Sequence, residues 1–408
     1  MRETSREVQK KRHVFILGSC RTPIGKFGGS LASLSAVDLA AVVIKEALRR
    51  SGIEGQLVDH VYMGCVIQAG LGQNVARQAS LKADLPITTT AQTVNVVCGS
   101  GLDAVNSAAR LIQAGEADIV IAGGTESMSN APFALKNARF GYKMGSPMIN
   151  TPIIDTMVID GLWDAMNNYH MGITAENIVD QWHLSRAELD EFALKSQEKA
   201  VNAIETGLFK EEIVPVTVGK NAVVDTDEAP RKGLTMEALS KLKPAFKPDG
   251  IITAGNSSGI NDGAAAVIVV SEEKVQEFGL KPEAEWIGCT LAGVDPAIMG
   301  IGSVASTKEL LNKLKISMAD IDLIEGNEAF AAQSIAVKRE LNIPDEKLNI
   351  NGGAIALGHP IGASGCRILV TLIHALKRTN KHTGLATLCI GGGMGCSVMI
   401  KNMQDLVL

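Results

Sequence analysis

The sequence lacks the features that mark nucleic-acid-binding and membrane proteins. Its net charge is only −5, with 39 basic and 44 acidic residues and a pI near 5.9. Such a balance provides no basic surface for a nucleic acid or for lipid headgroups, so an anionic ligand must be bound locally. No apolar run approaches the roughly 18 residues that predict a membrane-spanning helix. We therefore expect neither nucleic acid nor membrane as a partner.

Metal-binding and disulfide motifs are also missing. The seven cysteines include no Cys-x-x-Cys pair, and no histidine lies at the spacing of a second metal ligand. The first dozen residues are polar and mixed in charge, without the apolar stretch of a signal peptide. These features predict a protein without a bound metal, with a short disordered N-terminal tail and a cytoplasmic location.

Short apolar runs alternate with helix-like stretches along the chain. Its 408 residues, 46% of them hydrophobic, allow two or three domains, and its 41 glycines allow many tight turns. Apolar runs such as 119–122 and 267–270 alternate with stretches such as 36–50 and 101–113. Because these runs are continuously apolar, they predict buried strands covered by helices on both faces. The fold class is predicted to be α/β.

Three segments recur in the same order in the second half of the chain. The matching pairs are 58–64 with 319–325, 98–101 with 358–365, and 119–124 with 386–392. This order predicts a duplicated α/β unit, with an N-terminal half at 1–280 and a C-terminal half at 281–408. Residues from about 128 to 260 differ in character and are predicted to be an insertion. Within it, Ser185 and Glu188 form a capping-box pattern that predicts the start of a helix.

Cys98 is a candidate nucleophile. It follows an apolar run and opens a Gly-Ser-Gly turn that leads into a helix. A thiol at this place is exposed to the positive end of the helix dipole, which favours the thiolate, and the glycines let a substrate approach the backbone. The competing interpretation is a small buried apolar residue.

His359 lies in the second half at the position that Cys98 occupies in the first. Its turn, residues 351–365, contains five glycines. If the halves pack about a pseudo-twofold axis, the two helix starts face each other, and the imidazole can accept the Cys98 proton. The competing interpretation is a surface or structural histidine.

Two further turns carry candidate site residues. Cys389 ends an apolar strand and enters a glycine-rich turn whose free backbone N–H groups could bind an oxyanion. Its thiol could act as an acid and base, or it could be a core residue. Asn327 follows a strand of the second repeat, where its amide could hold a water or a carbonyl oxygen; loop asparagines also commonly cap turns.

Six ordered motifs resemble those of the thiolase family, and the resemblance extends from about residue 14 to residue 400. They are 96–102 (VVCGSGL), 123–129 (GGTESMS), 253–263 (TAGNSSGINDG), 327–330 (NEAF), 351–365 (NGGAIALGHPIGASG) and 389–395 (CIGGGMG). The resemblance implies two βαβαβαββ halves that form a five-layered αβαβα core, with an inserted loop domain.

The resemblance also implies a ping-pong reaction on coenzyme A thioesters. Cys98 would accept an acyl group with His359 as its base, and Cys389 would deprotonate the second acetyl-CoA. One oxyanion hole would use His359 and a water held by Asn327, and the other the backbone N–H groups of Cys98 and Gly391. The residues implied in binding coenzyme A are Arg231, Ser258, Met171, Phe246, Ala254 and Phe330. Coenzyme A would enter only as part of the substrates, and no further cofactor is expected.

The finer expectations concern chain length and assembly. The YHMG stretch at 169–172 resembles short-chain biosynthetic members, which implies that two acetyl-CoA are joined into acetoacetyl-CoA. The segment 131–146, with its basic residues, resembles the loop through which tetrameric members assemble, although it is longer here. The alternatives are a 3-ketoacyl-CoA thiolase of broader chain length and a non-catalytic protein that binds acyl-CoA or lipid. A ketosynthase would need a histidine in place of Cys389, and oxidation could join Cys98 to Cys389.

Overall fold

The computed structural model describes residues 12–142 and 152–403. The strands are β1 Val14–Arg21, β2 Gly25–Lys26, β3 His60–Gly64, β4 Thr90–Val94, β5 Ile119–Ser127, β6 Phe133–Leu135, β7 Ile153–Asp155, β8 Trp163–Asp164, β9 Tyr169–His170, β10 Val216–Val218, β11 Ala222–Val224, β12 Asn261–Ser271, β13 Ala284–Gly293, β14 Leu323–Gly326, β15 Thr383–Ile390 and β16 Met394–Asn402. The helices are α1 Ala36–Ser51, α2 Val75–Lys82, α3 Ser100–Gln113, α4 Met171–Trp182, α5 Arg186–Glu205, α6 Met236–Ser240, α7 Glu272–Phe278, α8 Gly302–Leu314, α9 Ala331–Glu340, α10 Ala354–Leu357 and α11 Ile361–Thr379.

The two halves of the chain repeat the same strand order, as the sequence repeats predict. In the first half the order across the sheet is β4-β3-β5-β12-β1, and in the second it is β14-β15-β16-β13. The halves join where β1 pairs antiparallel with β13, with Phe15 opposite Glu285 at the centre of the register. Equivalent strands thus meet head to tail, which is the arrangement that a pseudo-twofold axis produces.

Five layers arise because helices lie between the two halves of this sheet and on the outer face of each half. Helices α3 and α11 pack against each other, and each contacts strands of both halves, so they form the central layer. Helices α1 and α2 cover the outer face of the first half, and α8 covers that of the second. The strands are apolar on both faces because helices lie on both sides; every residue of β12 is buried. The αβαβα architecture is confirmed.

The second half differs from the first at its third strand. Where β4 lies in the first half, the second half has only a single bridge between Ile324 and Leu348. The predicted βαβαβαββ order therefore holds in full for the first half, while the second half reduces its third strand to one residue pair. Residues 343–348 contain only two large apolar side chains, Ile343 and Leu348, so this segment cannot form a buried strand.

The insertion packs mainly on the opposite half of the molecule. Its helix α5 begins at Ser185, whose side chain accepts the Glu188 N–H in the predicted capping box. Helix α4 packs on α9, and α5 packs on α9 and α10, all in the second half. The insertion therefore lies beside the turns that hold Asn327 and His359. The domain boundary at residue 280 stays a prediction.

The described residues contain neither a membrane-spanning helix nor a metal-binding cluster. Within residues 12–142 and 152–403, no helix is both long and apolar enough to cross a membrane. The same residues contain no group of three or more His, Cys, Asp or Glu side chains placed to hold a metal ion. The predicted disordered tail at 1–12 lies almost wholly outside the described residues, as does the part of the basic loop from Lys143 onward.

Candidate active site

Cys98 lies on a strained turn between β4 and α3. The residue before it, Val97, has φ 44°, a left-handed conformation that is costly for a β-branched side chain. The turn is held by local hydrogen bonds: the Ser100 hydroxyl donates to the Val97 carbonyl at 2.6 Å and accepts from the Val96 N–H at 2.9 Å. The Asn95 side chain accepts the Val97 N–H at 3.0 Å. This geometry holds the Cys98 side chain at the start of α3.

His359 lies in the second half, just before the first residue of α11. Its ring Nδ1 is 2.5 Å from the Ser364 hydroxyl, which itself donates to the Pro360 carbonyl at 2.9 Å. Because that hydroxyl has used its hydrogen, the network assigns the imidazole proton to Nδ1 and leaves the Nε2 lone pair free. The main chain is fixed as well, since the His359 N–H donates to Asn261 Oδ1 at 3.0 Å. An Nε2 lone pair is what a base for Cys98 requires.

Asn327 lies beside His359 at the end of β14. Its Nδ2 is 3.5 Å from His359 Nε2, the outer limit of a hydrogen bond. Its N–H donates to the Thr387 carbonyl of β15 at 3.0 Å, which fixes the loop. The Oδ1 atom is buried and accepts no hydrogen bond from the described residues. A buried amide oxygen in this state can accept from a water or a ligand.

Cys389 and Gly391 complete the group at the turn between β15 and β16. Cys389 is fully buried near the end of β15 and packs with Met171 and Phe330. The backbone N–H groups of Gly391 and of Cys98 itself lower the pKa of the Cys98 thiol. These two N–H groups can therefore stabilise negative charge that develops next to Cys98.

Burial keeps the site neutral at rest. It raises the pKa of the Cys98 thiol to about 11, against the lowering effect of the two backbone N–H groups. Burial also lowers the pKa of His359 to about 3, with a further lowering from Arg367. The pKa of Cys389 is raised by burial and by the neighbouring Cys98. The expectation that the helix dipole favours a resting thiolate stays a prediction, since desolvation raises the pKa of the thiol while the backbone N–H groups lower it.

A cavity of about 430 Å³ opens onto these residues. Nine of the eleven predicted site residues line it: Cys98, His359, Gly391, Arg231, Ser258, Met171, Phe246, Ala254 and Phe330. Asn327 and Cys389 lie behind this surface, with 1% and 0% of their surface exposed. The structure thus brings together residues from the first half, the insertion and the second half.

Several lining residues were not predicted from the sequence. Among them are His170, Leu162 and Met299. His170 stacks on Phe246 with ring centroids 4.7 Å apart, and its Nδ1 accepts the Gly172 N–H to cap α4. His170 belongs to the YHMG stretch. The sequence alone does not distinguish a histidine that caps a helix from one on the surface. Leu162 lies in a short π-helix and Met299 in a short 3-10 helix, and neither segment carries a sequence motif.

Comparison with known proteins agrees with this geometry. The thiolase N-terminal domain model matches residues 14–273, and the thiolase C-terminal domain model matches residues 280–402. The chain belongs to the thiolase family. This thiolase is therefore an acyltransferase, and the resemblance predicted from its six motifs is confirmed.

Relatives and solved structures cover nearly the whole chain. An acetyl-CoA acetyltransferase of Syntrophomonas wolfei is 55% identical over 395 residues, 96% of this thiolase and 99% of the relative. An acetyl-CoA acetyltransferase of Pseudomonas aeruginosa is 52% identical over 95% of this thiolase and 98% of its own length.

Two crystal structures resemble this thiolase over nearly their full lengths. That of the Bacillus anthracis acetyl-CoA acetyltransferase has a TM-score of 0.93 and 46% identity, covering 96% of this chain and 99% of its own. That of human mitochondrial 3-ketoacyl-CoA thiolase in complex with CoA has a TM-score of 0.92 and 42% identity, covering 96% and 98%. They confirm the fold.

Proposed function

We propose that this thiolase is an acetyl-CoA C-acetyltransferase. It joins two acetyl-CoA into acetoacetyl-CoA and free coenzyme A, and it also catalyses the reverse thiolysis. The observation that carries the proposal is the meeting of Cys98, His359 and Gly391 in one cavity with the six residues implied in coenzyme A binding. The names of the relatives support the choice of acetyl-CoA.

The first half-reaction transfers an acetyl group to Cys98. His359 Nε2 takes the thiol proton as the sulfur attacks the acetyl carbonyl, and the N–H groups of Cys98 and Gly391 stabilise the oxyanion. When the adduct collapses, the carbon–sulfur bond to coenzyme A breaks and His359 returns the proton to the departing sulfur. Cys98 is left as a thioester, and free coenzyme A leaves.

The second half-reaction forms the carbon–carbon bond. Cys389, after giving its proton to His359, takes a proton from the methyl group of a second acetyl-CoA. Protonated His359 and a water held by Asn327 stabilise the enolate oxygen, because an enolate is far more basic than a thiolate. The enolate carbon attacks the acetyl-Cys98 carbonyl, the Cys98 sulfur leaves, and His359 returns its proton to that sulfur. Acetoacetyl-CoA is released, and Cys389 keeps the methyl proton.

The walls of the cavity suit the pantetheine arm and a phosphate of coenzyme A. The apolar side chains of Met171, Phe246 and Phe330 suit the pantetheine arm, with Phe330 edge-on to Phe246 at 6.0 Å between ring centroids. Ser258 can bind a pantetheine amide, and Arg231 can pair with a phosphate at the mouth. Each proton and the acyl group have a carrier among Cys98, His359 and Cys389, so we propose that no further cofactor takes part.

Steady-state turnover of acetyl-CoA alone tests this function. We expect free coenzyme A and acetoacetyl-CoA to form in equal amounts, measured by thiol release and by acetoacetyl-CoA absorbance. Asn327→Asp is a suitable comparison, because the introduced charge disfavours the enolate while the fold is kept. Release of coenzyme A without acetoacetyl-CoA by the wild-type protein would exclude condensation, and no reaction at all would favour the non-catalytic acyl-CoA-binding alternative.

A second candidate function is a 3-ketoacyl-CoA thiolase of broader chain length. A second cavity of about 480 Å³ adjoins the first, and the two share Met171, Gly161 and Gly391 as a wall. Longer acyl chains could extend into it if Met171 moved. A high ratio of kcat/KM for 3-ketohexanoyl-CoA over acetoacetyl-CoA in thiolysis would favour this candidate. Met171→Ala should raise that ratio, whereas Met166→Ala, which removes a methionine from the second cavity alone, should not.

Assembly and location are proposed on separate observations. We propose a homotetramer, because the paired strands β6 and β7 and the turn at 138–140 expose apolar side chains, with Phe133 67% and Phe140 84% exposed. Light scattering of the wild type and of Phe133→Ser tests this, with loss of the tetramer expected in the variant. We propose the cytoplasm as the location because all seven cysteines are free and the reaction needs reduced thiols. Cell fractionation tests it.

A further inference from the structure

Glu126 is a buried carboxylate that connects the two halves of the molecule. It lies near the end of β5 and is fully buried. It accepts the backbone N–H groups of Val66 at 3.1 Å and Ile67 at 3.2 Å, both in the loop after β3. It also accepts the N–H of Gly362, in the first turn of α11, at 2.9 Å. The Cys65 thiol donates to it at 3.6 Å.

The contact with Gly362 gives α11 a cap from the other half. Helix α11 has no side-chain cap of its own, since its N-cap residue is Pro360. Free N–H groups at a helix start favour an anion, and Glu126 supplies it. His359 lies two residues before the first residue of this helix, so the carboxylate fixes the helix next to the proposed base.

The loop contacts extend the influence of Glu126 to the nucleophile. Val66, Ile67 and Ile361 belong to an apolar cluster against which Cys98 packs. The Cys65 thiol contacts Glu126 directly, and the Cys98 thiol lies across the same cluster; the charge of Glu126 raises the pKa of both thiols in part. Within the described residues it has no ion-pair partner. An uncompensated negative charge here disfavours a thiolate and favours an imidazolium.

We propose that Glu126 is a positioning residue that fixes the His359 helix to the Cys98 half and places a negative charge near Cys98. This inference rests on the proposed function, but its main test needs no substrate. The roles stated above for Cys98 and His359 do not require a carboxylate; Glu126 acts through both.

The test is the pH dependence of Cys98 alkylation in the intact protein. Cys98 would be labelled with iodoacetamide from pH 6 to 9 and quantified by peptide mass spectrometry, for the wild type and Glu126→Gln. Burial raises the pKa of Glu126 to about 7, so its charge is present only above that pH. We expect Glu126→Gln to be labelled at the wild-type rate at pH 6 and about tenfold faster at pH 8.5, the change that one pKa unit produces.

A matched control separates the charge from the loss of a contact. Cys65→Ser keeps a hydrogen-bond donor for Glu126 and removes the only other thiol that faces it, so we expect a wild-type labelling profile at Cys98. Turnover gives a second readout. Glu126→Gln should lower kcat at least tenfold with little change in KM, and Glu126→Asp, which keeps the charge but withdraws it by one methylene, should recover part of kcat.

A folded Glu126→Gln protein with a wild-type labelling profile would overturn the inference, whatever its activity. If that variant does not fold, the labelling of Glu126→Asp decides: a faster rate than wild type at pH 8.5 supports the inference, and an unchanged rate with unchanged kcat overturns it. A shifted labelling profile in a protein that forms no acetoacetyl-CoA would leave Glu126 as proposed and reject the proposed function instead.

Discussion

At the scale of single residues, the site is a set of neutral groups that become charged only during reaction. The Cys98 thiol and the His359 imidazole are both held uncharged by burial, with pKa values near 11 and 3. The proton on His359 Nδ1 is fixed by Ser364, which leaves Nε2 as the atom that accepts and returns protons. Cys389 is buried beneath them. Cys98 is therefore the proposed carrier of the acyl group, and Cys389 the proposed base for the proton on carbon.

Substitution of the two cysteines separates these roles. Cys389→Ala should still acquire an acetyl group on Cys98 but should lose condensation by at least a thousandfold, because no base remains for the methyl proton. Cys98→Ala should lose both steps. Intact-mass measurement after incubation with acetyl-CoA, together with acetoacetyl-CoA formation, checks both variants. Condensation by Cys389→Ala at the wild-type rate would show that another group is the base.

The neutral state of His359 predicts a pH dependence of stability. Its pKa is lower in the folded protein, about 3, than the 6.5 of an exposed histidine. As the pH falls below 6.5, the unfolded chain therefore binds a proton that the folded protein does not, and stability is lost. At pH 5 this loss is about 2 kcal/mol, since each pKa unit corresponds to 1.36 kcal/mol.

Urea unfolding of His359→Asn at pH 8 and pH 5 measures that loss. The variant should lose about 2 kcal/mol less than the wild type between these two values. His382→Asn, at an exposed histidine, is the control and should follow the wild type. Equal losses in His359→Asn and the wild type would mean that His359 is not held neutral by burial.

At the scale of elements, close contact between β5, α3 and α11 sets the distance between the proposed nucleophile and base. Gly124 of β5 lies against the Gly362 carbonyl of α11, and Gly101 of α3 lies against the backbone at Gly362 and Cys366. A side chain at either glycine would separate the helix starts that carry Cys98 and His359. The sequence showed glycines in these turns, but not which backbone each one approaches.

Gly124→Ala tests the importance of this contact. The added methyl group overlaps the Gly362 carbonyl, so we expect a loss of about 1–3 kcal/mol in unfolding free energy and at least a tenfold loss of kcat. Gly293→Ala is the matched control, because at the end of β13 an added Cβ meets nothing nearer than 4.0 Å. The control should stay close to wild type in both measurements. Wild-type activity of Gly124→Ala would show that the helix spacing is not critical.

At the scale of the whole molecule, the duplication explains why much of the site could be predicted. The repeat placed His359 opposite Cys98, and the continuous apolar runs identified the buried strands. What the sequence could not indicate are contacts between distant residues, such as Glu126 with Gly362, 236 positions apart. Local sequence patterns also do not indicate that His170 caps α4, or that the third strand of the second half is reduced to a single bridge at Leu348. Both features depend on residues that are neighbours only in the fold.

The most direct test of the central claim is to locate the acyl group. The purified protein would be incubated with acetyl-CoA alone, quenched in acid, and examined by intact-mass and peptide mass spectrometry. We expect a single added acetyl group of about 42 Da on Cys98, accompanied by free coenzyme A and acetoacetyl-CoA. An unmodified Cys98, or an acetyl group found only on another residue of a folded and active sample, would contradict it.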